Sequence, residues 1–308
     1  MRIVFFGSDH FAAVSLKEIL HSSHQVVAAV TGPDTRQGRG LKLALSPIKD
    51  MALAQDIVCL QPDSLKSASI VDQLKEFQAD IFVVVAYGRL LTQAVLNIPK
   101  LFCVNLHGSL LPQYRGAAPI NWSIIHGDKQ TGVTVQKMAL ELDAGDIIAQ
   151  EKIPLSAQIN AESLRSQMAL IGAKLLKKTL DGIALGQYRC TPQDESQVTL
   201  APRLTKQMGK IQWQGSATSI ERLIRGLKPW PGTFTQCKGK GLKILEASQV
   251  QVQGVPGSVV SISKEGFVVA CSQGGILVKQ VQPEAAKVMS AYDFIQGSRL
   301  QINDLLSQ

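Results

Sequence analysis

The sequence predicts an α/β protein of two domains, in which a parallel sheet covered by helices precedes a small β-barrel. Three observations support this prediction. The chain has 308 residues, which exceeds the size of one typical domain. Apolar strand-like runs alternate with helical patterns in the first part of the chain. Short apolar runs separated by glycines fill the last third.

The first domain is predicted from a series of apolar runs. The strand-like runs are residues 3–6, 26–30, 81–86 and 103–106. The run at 81–86 reads IFVVVA, a continuous apolar stretch that is typical of a strand buried on both faces. Asp9 is placed to cap a helix after the first strand. Strands alternating with helices predict a parallel sheet, whose ligands bind beyond the carboxyl ends of its strands.

The pattern of apolar and polar residues changes near residue 186. An amphipathic helix is predicted over residues 161–181, and a polar segment with two prolines follows it. We therefore predict a first domain at 1–188, a linker at 189–207 and a second domain at 208–308. The short apolar runs of the second domain fit a small β-barrel such as an OB-fold, and Ser290 predicts the start of a last helix.

Positive charge is concentrated in the last third of the chain. The formal net charge is +8. Residues 203–308 carry 13 Lys and Arg against 6 Asp and Glu, a net charge of +7. This distribution favours either a solubilising surface or a second domain that binds a phosphate-rich partner, and charge alone leaves both open.

Several classes of protein are disfavoured by the sequence. No apolar run reaches the roughly 18 residues of a membrane helix, and the apolar N-terminus is too short for a signal peptide. We therefore expect a cytoplasmic protein that does not bind membranes. The five cysteines form no CxxC cluster, so zinc and redox roles find no support. A single Gly7 after the first strand is not a GxGxxG fingerprint, so a dinucleotide site is weakly supported.

The densest group of candidate chemical residues begins at the end of the strand at 103–106 and runs from residue 105 to residue 112. Asn105 and His107 are two residues apart, so their side chains leave the strand on the same face. They lie where an α/β sheet places its ligand. An amide and an imidazole on one face, followed directly by Gly108, indicate a functional site more than a structural one.

A second motif, LDAGD at residues 142–146, contains Asp143. Alone, an Asp in this setting is usually part of a turn. Together with the strand residues it completes a set that acyl-type transfer requires: an oxyanion donor, a proton carrier and a carboxylate that orients the imidazole. Asn105, His107 and Asp143 supply these groups without a Ser or Cys nucleophile, which favours direct transfer to an amine.

Residues 32–49 form a long basic segment that carries Arg36, Arg39, Lys42 and Lys49. Glycines flank Arg39 on both sides, which makes the loop around it adaptable. Connections between a strand and a helix are usually shorter than this. The segment is therefore either a solvated connection or an arm that contacts nucleic acid.

Several motifs now point to one family. The sequence from His107 to Pro112, followed by RGAAP at 115–119, resembles the signature of the folate-dependent formyltransferases. The RGAAP tail is typical of their methionyl-tRNA formyltransferase branch. Further similar segments are residues 33–34, 38–40, 46–47, 84–88, 142–146 and 229–231. The resemblance spans nearly the whole chain in order, so the sequence is identified as a member of this family.

The resemblance implies a Rossmann-like catalytic domain followed by an OB-like tRNA-binding domain. It assigns catalysis to Asn105, His107 and Asp143. The folate-binding residues it implies are Val85, Ala86, Tyr87, Gly88, Ser109, Leu110, Leu111, Pro112 and Leu140. The tRNA-binding residues it implies are Arg36, Arg39, Lys42, Lys49, Lys206 and Lys210, with Arg39 as the main specificity residue.

The implied reaction transfers the formyl group of 10-formyltetrahydrofolate to the amino group of methionyl-initiator tRNA, giving N-formylmethionyl-tRNA for translation initiation. No metal is implied, and we expect a monomer. The loop departs from the usual family pattern at Thr35-Arg36 and Leu41-Lys42, which leaves its detailed tRNA contacts open.

Three alternatives have different requirements. A formyltransferase acting on a nucleotide or sugar amine would not need the basic second domain. A formyl-folate hydrolase would not need the loop around Arg39. A non-enzymatic RNA-binding protein would not need the set formed by Asn105, His107 and Asp143.

Overall fold

The computed structural model of the protein describes residues 1–37 and 42–307. The backbone forms two compact units. Unit 1 comprises Met1–Pro119, Gln130–Pro154 and Arg165–Pro202, and unit 2 comprises Ile120–Lys129, Leu155–Leu164 and Arg203–Gln308. The segment 189–207, suggested by the sequence as a linker, is thus divided between the two units at residue 202.

The elements of the first 202 residues follow in chain order: β1 (Arg2–Gly7), α1 (His10–Leu20), β2 (Gln25–Val30), β3 (Thr35–Gln37), β4 (Lys42–Ala44), α2 (Pro47–Ala54), β5 (Val58–Leu60), α3 (Ala68–Glu76), β6 (Ile81–Val85), α4 (Gln93–Leu96), β7 (Cys103–His107), β8 (Arg115–Gly116), α5 (Pro119–His126), β9 (Gln130–Lys137), β10 (Ile147–Pro154), α6 (Ala161–Ala184) and β11 (Leu200–Ala201). The later elements are α7 (Ala217–Gly226), β12 (Thr233–Cys237), β13 (Lys240–Val250), β14 (Val259–Ser263), β15 (Gly266–Ala270), β16 (Gly275–Pro283), β17 (Met289–Ser290), α8 (Ala291–Ser298) and β18 (Leu306–Ser307). Short 3-10 turns occupy Glu195–Gln197 and Lys206–Gly209.

A twisted sheet forms the centre of unit 1, with the strand order β10-β9-β7-β6-β1-β2-β5. The strands β1, β2, β5, β6 and β7 are parallel, as the alternation of strands and helices predicts. Every residue of β6 is buried, which confirms the prediction from its continuous apolar run. The carboxyl ends of the five parallel strands lie at one edge of the sheet. The ends of β6 and β7 and the segments that follow them carry most of the candidate site residues.

The sheet is mixed, so the predicted parallel arrangement holds for five strands but not for β9 and β10. Strand β9 pairs antiparallel with β7, and β10 pairs antiparallel with β9. The connection from β9 to β10 covers only residues 138–146. A parallel crossover needs a dozen or more residues, so this connection returns the chain antiparallel. The returning loop contains Asp143 and brings it to the end of β7.

Three helix predictions are confirmed. Asp9 caps α1, because its Oδ1 accepts a hydrogen bond from the backbone N–H of Ala12 at 3.1 Å. The helix expected over 161–181 is α6, which extends to Ala184. Ser290 begins α8 and accepts the N–H of Asp293 at 3.0 Å.

Unit 2 is built on an antiparallel sheet with the order β14-β15-β16-β13-β12-β18, and β17 pairs with β16. Register shifts in β13 near Glu246 bend this long strand. An isolated bridge between Ser258 and Leu305 links the beginning of β14 to the beginning of β18, which are the outer strands of the order. The sheet therefore curls around an apolar core that includes Trp213 and Phe267.

Residues 1–37 and 42–307 contain neither a candidate membrane span nor a candidate metal site. No helix there is long and apolar enough to cross a bilayer. No group of three or more His, Cys, Asp or Glu side chains in those residues is arranged to hold a metal ion.

Candidate active site

Strand β7 carries two of the three predicted catalytic side chains. Asn105 lies opposite Val84 on one neighbouring strand and Gln136 on the other. His107 is the last residue of the strand and is only 6% exposed. The spacing of two residues places Asn105 and His107 on the same face of the sheet, as predicted.

The imidazole of His107 contacts an acceptor at each ring nitrogen. Its Nε2 lies 2.9 Å from the backbone carbonyl of Tyr114, and because a carbonyl only accepts, Nε2 carries a proton and donates it. Its Nδ1 lies 3.6 Å from Oδ1 of Asp143. The carboxylate of Asp143 therefore lies beside Nδ1, where it can orient the imidazole. Neither partner is a nucleophile that the imidazole could activate.

Asp143 is held in place by its own loop and by its neighbours. Its φ of 54° lies in the left-handed region, which is uncommon for a residue other than glycine. Oδ2 accepts the N–H of Gly116 at 2.9 Å, and Oδ1 accepts from Nε2 of Gln136 at 3.2 Å. These bonds fix the carboxylate in a site where the side chain is 10% exposed. The three predicted catalytic residues are thus brought to one region.

Two polar groups in this region are left for a ligand. Within the described part of the chain, the half-buried Asn105 amide makes no hydrogen bond. Oε1 of Gln136 is also buried without a hydrogen-bond partner among those residues. Buried polar atoms are rarely left unpaired unless a water or ligand satisfies them. The amide of Asn105 therefore has donors free for a substrate oxygen.

Gln136 is a candidate functional residue that the sequence analysis missed. It is 2% exposed and connects the two catalytic elements, because it faces Asn105 across the sheet and donates to Asp143. Its sequence signal is weak: a polar residue in a strand that alternates valine with polar residues. Its role depends on the register between β7 and β9, which the sequence does not reveal.

The last residue of β6 and the three residues after it are predicted folate residues. Val85 and Tyr87 are buried, whereas Gly88 is exposed. Burial raises the pKa of the Tyr87 phenol, so the hydroxyl stays neutral. Ala86 and Gly88 have φ values of 44° and 77°. Two left-handed residues turn the chain sharply away from the sheet, so the backbone of the segment is presented at its edge.

A cleft of about 510 Å³ lies beside this segment. Its lining includes Leu65, Leu91 and the exposed Leu140, together with the cations Lys66 and Arg89. Nη1 of Arg89 donates to the carbonyl of Pro62 at 2.7 Å, which ties the two walls together. Leu140 is 62% exposed, so its apolar side chain is accessible on the wall of this cleft.

The loop after β7 carries four more of the predicted folate residues, Ser109, Leu110, Leu111 and Pro112. Ser109 and Leu111 are buried, at 0% and 3% exposure. The hydroxyl of Ser109 donates to the carbonyl of Gln113, and the carbonyl of Leu111 accepts from Gln150. Their side chains pack inward, because this loop must satisfy its backbone groups against β9 and β10. Leu110 and Pro112 remain partly exposed.

The predicted RNA-contacting arm forms a hairpin in which β3 pairs with β4. Arg36 and Lys42 lie on its two strands, and Arg39 lies outside the described residues. Lys49 instead forms an ion pair with Asp34 at 2.6 Å, and this bond lowers the pKa of the Asp34 carboxyl. Gln61 also donates to Asp34 at 2.8 Å. Lys49 therefore tethers the base of the hairpin and is not a free cation.

Lys206 and Lys210 lie in unit 2, on either side of the predicted boundary between linker and second domain. Both line a cleft of about 490 Å³ whose walls include Phe234, Gln236 and Glu284. The cleft combines cationic, amide and aromatic groups, which are the chemistries that hold phosphates and bases.

The sequence was compared with known families and proteins. Residues 1–180 match the formyl transferase family, and residues 203–299 match the formyl transferase C-terminal domain. The chain is 43% identical to the methionyl-tRNA formyltransferase of Lachnospira eligens, with 100% of both chains covered. It is 42% identical to that of Hydrogenovibrio crunogenus, with 97% of each covered.

Solved structures share the fold at low sequence identity. An N-formyltransferase from Helicobacter canadensis in complex with folinic acid and dTDP-3-aminofucose is 18% identical, with a TM-score of 0.68 over 91% of this chain and 98% of that chain. HypX from Aquifex aeolicus in complex with tetrahydrofolic acid is 16% identical, with a TM-score of 0.63 over 100% of this chain and 51% of that chain. The protein thus spans about half the length of HypX. These likenesses show the fold alone, whereas the two curated relatives are similar from end to end. The chain therefore belongs to the methionyl-tRNA formyltransferase family.

Proposed function

We propose that the protein transfers the formyl group of 10-formyltetrahydrofolate to the α-amino group of methionine on initiator tRNA. The observation that carries this proposal is the meeting of Asn105, His107 and Asp143 at the carboxyl end of β7, in a chain whose full-length relatives are methionyl-tRNA formyltransferases. All three groups come from one chain, so one copy suffices for the reaction. The substrate is a charged tRNA, which places the reaction with translation in the cytoplasm.

The chemistry needs one oxyanion donor and one proton carrier. The folate supplies a formyl carbon, and the neutral amine of methionine attacks it. Negative charge then develops on the formyl oxygen, where the free amide of Asn105 donates hydrogen bonds. The proton released by the amine is held between His107 and Asp143, which keeps positive charge near that oxygen. The same proton then serves the departing folate nitrogen, so no covalent bond to the enzyme is required.

The folate is proposed to bind along the segment after β6 and in the cleft beside it. The backbone of residues 85–88 offers polar groups to the pterin, because its left-handed turns present the backbone at the sheet edge. Leu110, Pro112 and Leu140 supply apolar wall. Ser109 and Leu111 support this wall from the interior.

The tRNA is proposed to bind through unit 2 and through the β3–β4 hairpin. Unit 2 is proposed to be an OB-like barrel, because the bridge between Ser258 and Leu305 joins the outer strands of its sheet. Most of the positive charge of the chain lies there, with Lys206 and Lys210 along one cleft. Arg36, Arg39 and Lys42 form the second contact, and Lys49 anchors the base of their hairpin through its ion pair with Asp34.

The proposal is tested by incubating the purified protein with formyl-labelled 10-formyltetrahydrofolate and methionyl-initiator tRNA. We expect labelled N-formylmethionine after hydrolysis of the tRNA ester. Uncharged initiator tRNA, charged elongator tRNA and an amino-sugar nucleotide serve as competing acceptors in parallel reactions. Label on the sugar nucleotide alone, or free labelled formate with every acceptor, would contradict the proposal.

A matched pair of histidine variants links the activity to this site. His107→Ala removes the ring that contacts Asp143, whereas His21→Ala removes an exposed histidine at the end of α1. We expect His107→Ala to lose about 10²-fold or more in turnover, since acid–base and oxyanion groups contribute this much. His21→Ala should retain the turnover of the unchanged protein.

A further inference from the structure

The chain that follows α6 returns to the candidate active site through Gln193. This half-buried residue lies in the segment suggested by the sequence as a linker. Its Nε2 donates two hydrogen bonds, to the backbone carbonyl of Asp143 at 2.8 Å and to that of Gly145 at 2.7 Å. A primary amide has two N–H donors, and both are used on the loop that carries the predicted catalytic carboxylate.

The other end of the same amide is held as well. Oε1 of Gln193 accepts from Nε of Arg115 at 3.0 Å. Arg115 is 6% exposed and donates to both carboxylate oxygens of Glu195, at 3.2 and 2.7 Å. This bidentate pairing with Glu195 orients the guanidinium of Arg115, which in turn orients the amide of Gln193. Gln193 is therefore bonded at every polar position apart from one lone pair of Oε1.

The same returning segment also holds the partner of His107. The hydroxyl of Thr199 accepts the N–H of Tyr114 at 2.9 Å, and its carbonyl accepts the N–H of Arg115 at 2.9 Å. Strand β11 then pairs with β8. The carbonyl of Tyr114 accepts the hydrogen bond from Nε2 of His107. The segment thus contacts the supports of both members of the His107–Asp143 pair.

We propose that Gln193 is a positioning residue for formyl transfer, which acts by holding the backbone of the Asp143 loop at the distance His107 requires. The inference rests on the proposed function. Asp143 has a left-handed backbone and its Oδ1 is 3.6 Å from Nδ1 of His107, so a small loop displacement changes the contact. The side chain of Gln193 does not itself contact the reacting groups. Its effect therefore passes through Asp143.

Two substitutions separate the hydrogen bonds from the volume of the side chain. Gln193→Met keeps the length of the side chain and removes both donors. Gln193→Glu keeps the acceptor for Arg115 but turns carboxylate oxygens toward two carbonyls, which repel it. Gln197→Ala is the matched control, because Gln197 is an exposed glutamine of the same segment. Among residues 1–37 and 42–307, its Nε2 bonds only to Asp194, at 2.6 Å.

The experiment measures kcat and KM for both substrates and the thermal unfolding of each variant of the full chain. We expect Gln193→Met and Gln193→Glu to lower kcat by about 10- to 100-fold, the range found when residues that orient reactive groups are removed. Both KM values should stay within about twofold, and Gln197→Ala should match the unchanged protein in every readout.

A double-mutant comparison identifies the route of the effect. In an Asp143→Asn background, Gln193→Met should lower kcat by less than about twofold, because the group it positions no longer functions. An equal loss in both backgrounds would show that Gln193 acts elsewhere and would overturn the inference. So would an unchanged kcat in both Gln193 variants, or a loss confined to KM. Absence of product with the unchanged protein would instead refute the proposed function itself.

Discussion

The substitution Gly145→Ala tests whether the position of the Asp143 loop controls the reaction. Gly145 is buried two residues after Asp143. A Cβ added there would lie 1.7 Å from the carbonyl oxygen of Lys137, 2.8 Å from its carbonyl carbon and 3.1 Å from the backbone nitrogen of Ala139. All three are backbone atoms at the end of β9, so no side-chain rotation relieves the contact.

The size of the effect follows from these distances. Real Cβ atoms do not approach other heavy atoms closer than 3.0 Å, so the loop must retreat by about 1.3 Å. A misplacement of about 1 Å costs roughly 10²-fold in rate, or about 2.7 kcal/mol of transition-state stabilisation. We therefore expect Gly145→Ala to lower kcat/KM by about 100-fold, because Asp143 moves away from His107.

The assay compares the formylation rates of Gly145→Ala and Gly297→Ala. Gly297 lies in α8, where an added Cβ meets nothing within 4 Å, so the control introduces the same methyl group without a contact. Circular dichroism and thermal unfolding show whether each variant is folded. A folded Gly145→Ala protein with the rate of the control would refute the argument that the loop position limits the reaction.

Two further expectations concern charge. Burial lowers the pKa of His24, so the folded protein binds a proton on this imidazole less well than the unfolded chain does. The free energy of unfolding is therefore undiminished above the unfolded pKa of about 6.5 and decreases as the pH falls below that value. Thermal unfolding at pH 7.5 and 5.5 should show a smaller acid destabilisation in His24→Gln than in the unchanged protein, and an equal loss in both would contradict this reason. The affinity for initiator tRNA should fall steeply with salt concentration, because cations of unit 2 and of the β3–β4 hairpin displace counterions from the tRNA phosphates. An affinity that stays constant between about 50 and about 200 mM salt would show that the positive charge only solubilises the protein.

Features that depend on local periodicity could be predicted from the sequence. The fully buried strand β6 follows from an uninterrupted apolar run, because both faces of a central strand must be covered. The common face of Asn105 and His107 follows from the two-residue repeat of a strand. Ser290 begins a helix because its hydroxyl satisfies a backbone N–H of the first turn.

The features that the sequence analysis missed depend on contacts between distant segments. The role of Gln136 requires the antiparallel register that sets it opposite Asn105. The role of Gln193 requires a contact with a residue 50 positions earlier in the chain. Lys49 resembles a free cation until Asp34 is found beside it. Ser109 belongs to a family motif, and only the packing of its loop against β9 shows that its side chain faces inward.

The single-turnover rate of formyl transfer in Asp143→Asn shows whether the carboxylate beside His107 is needed for the chemical step. Asparagine keeps the shape of the side chain and an oxygen that can accept the N–H of Gly116, but it removes the negative charge 3.6 Å from His107. With folate and methionyl-tRNA both saturating, only the chemical step is measured. The account predicts a rate at least about 100-fold below that of the unchanged protein. A folded Asp143→Asn protein that transfers the formyl group within about threefold of the unchanged rate would contradict it.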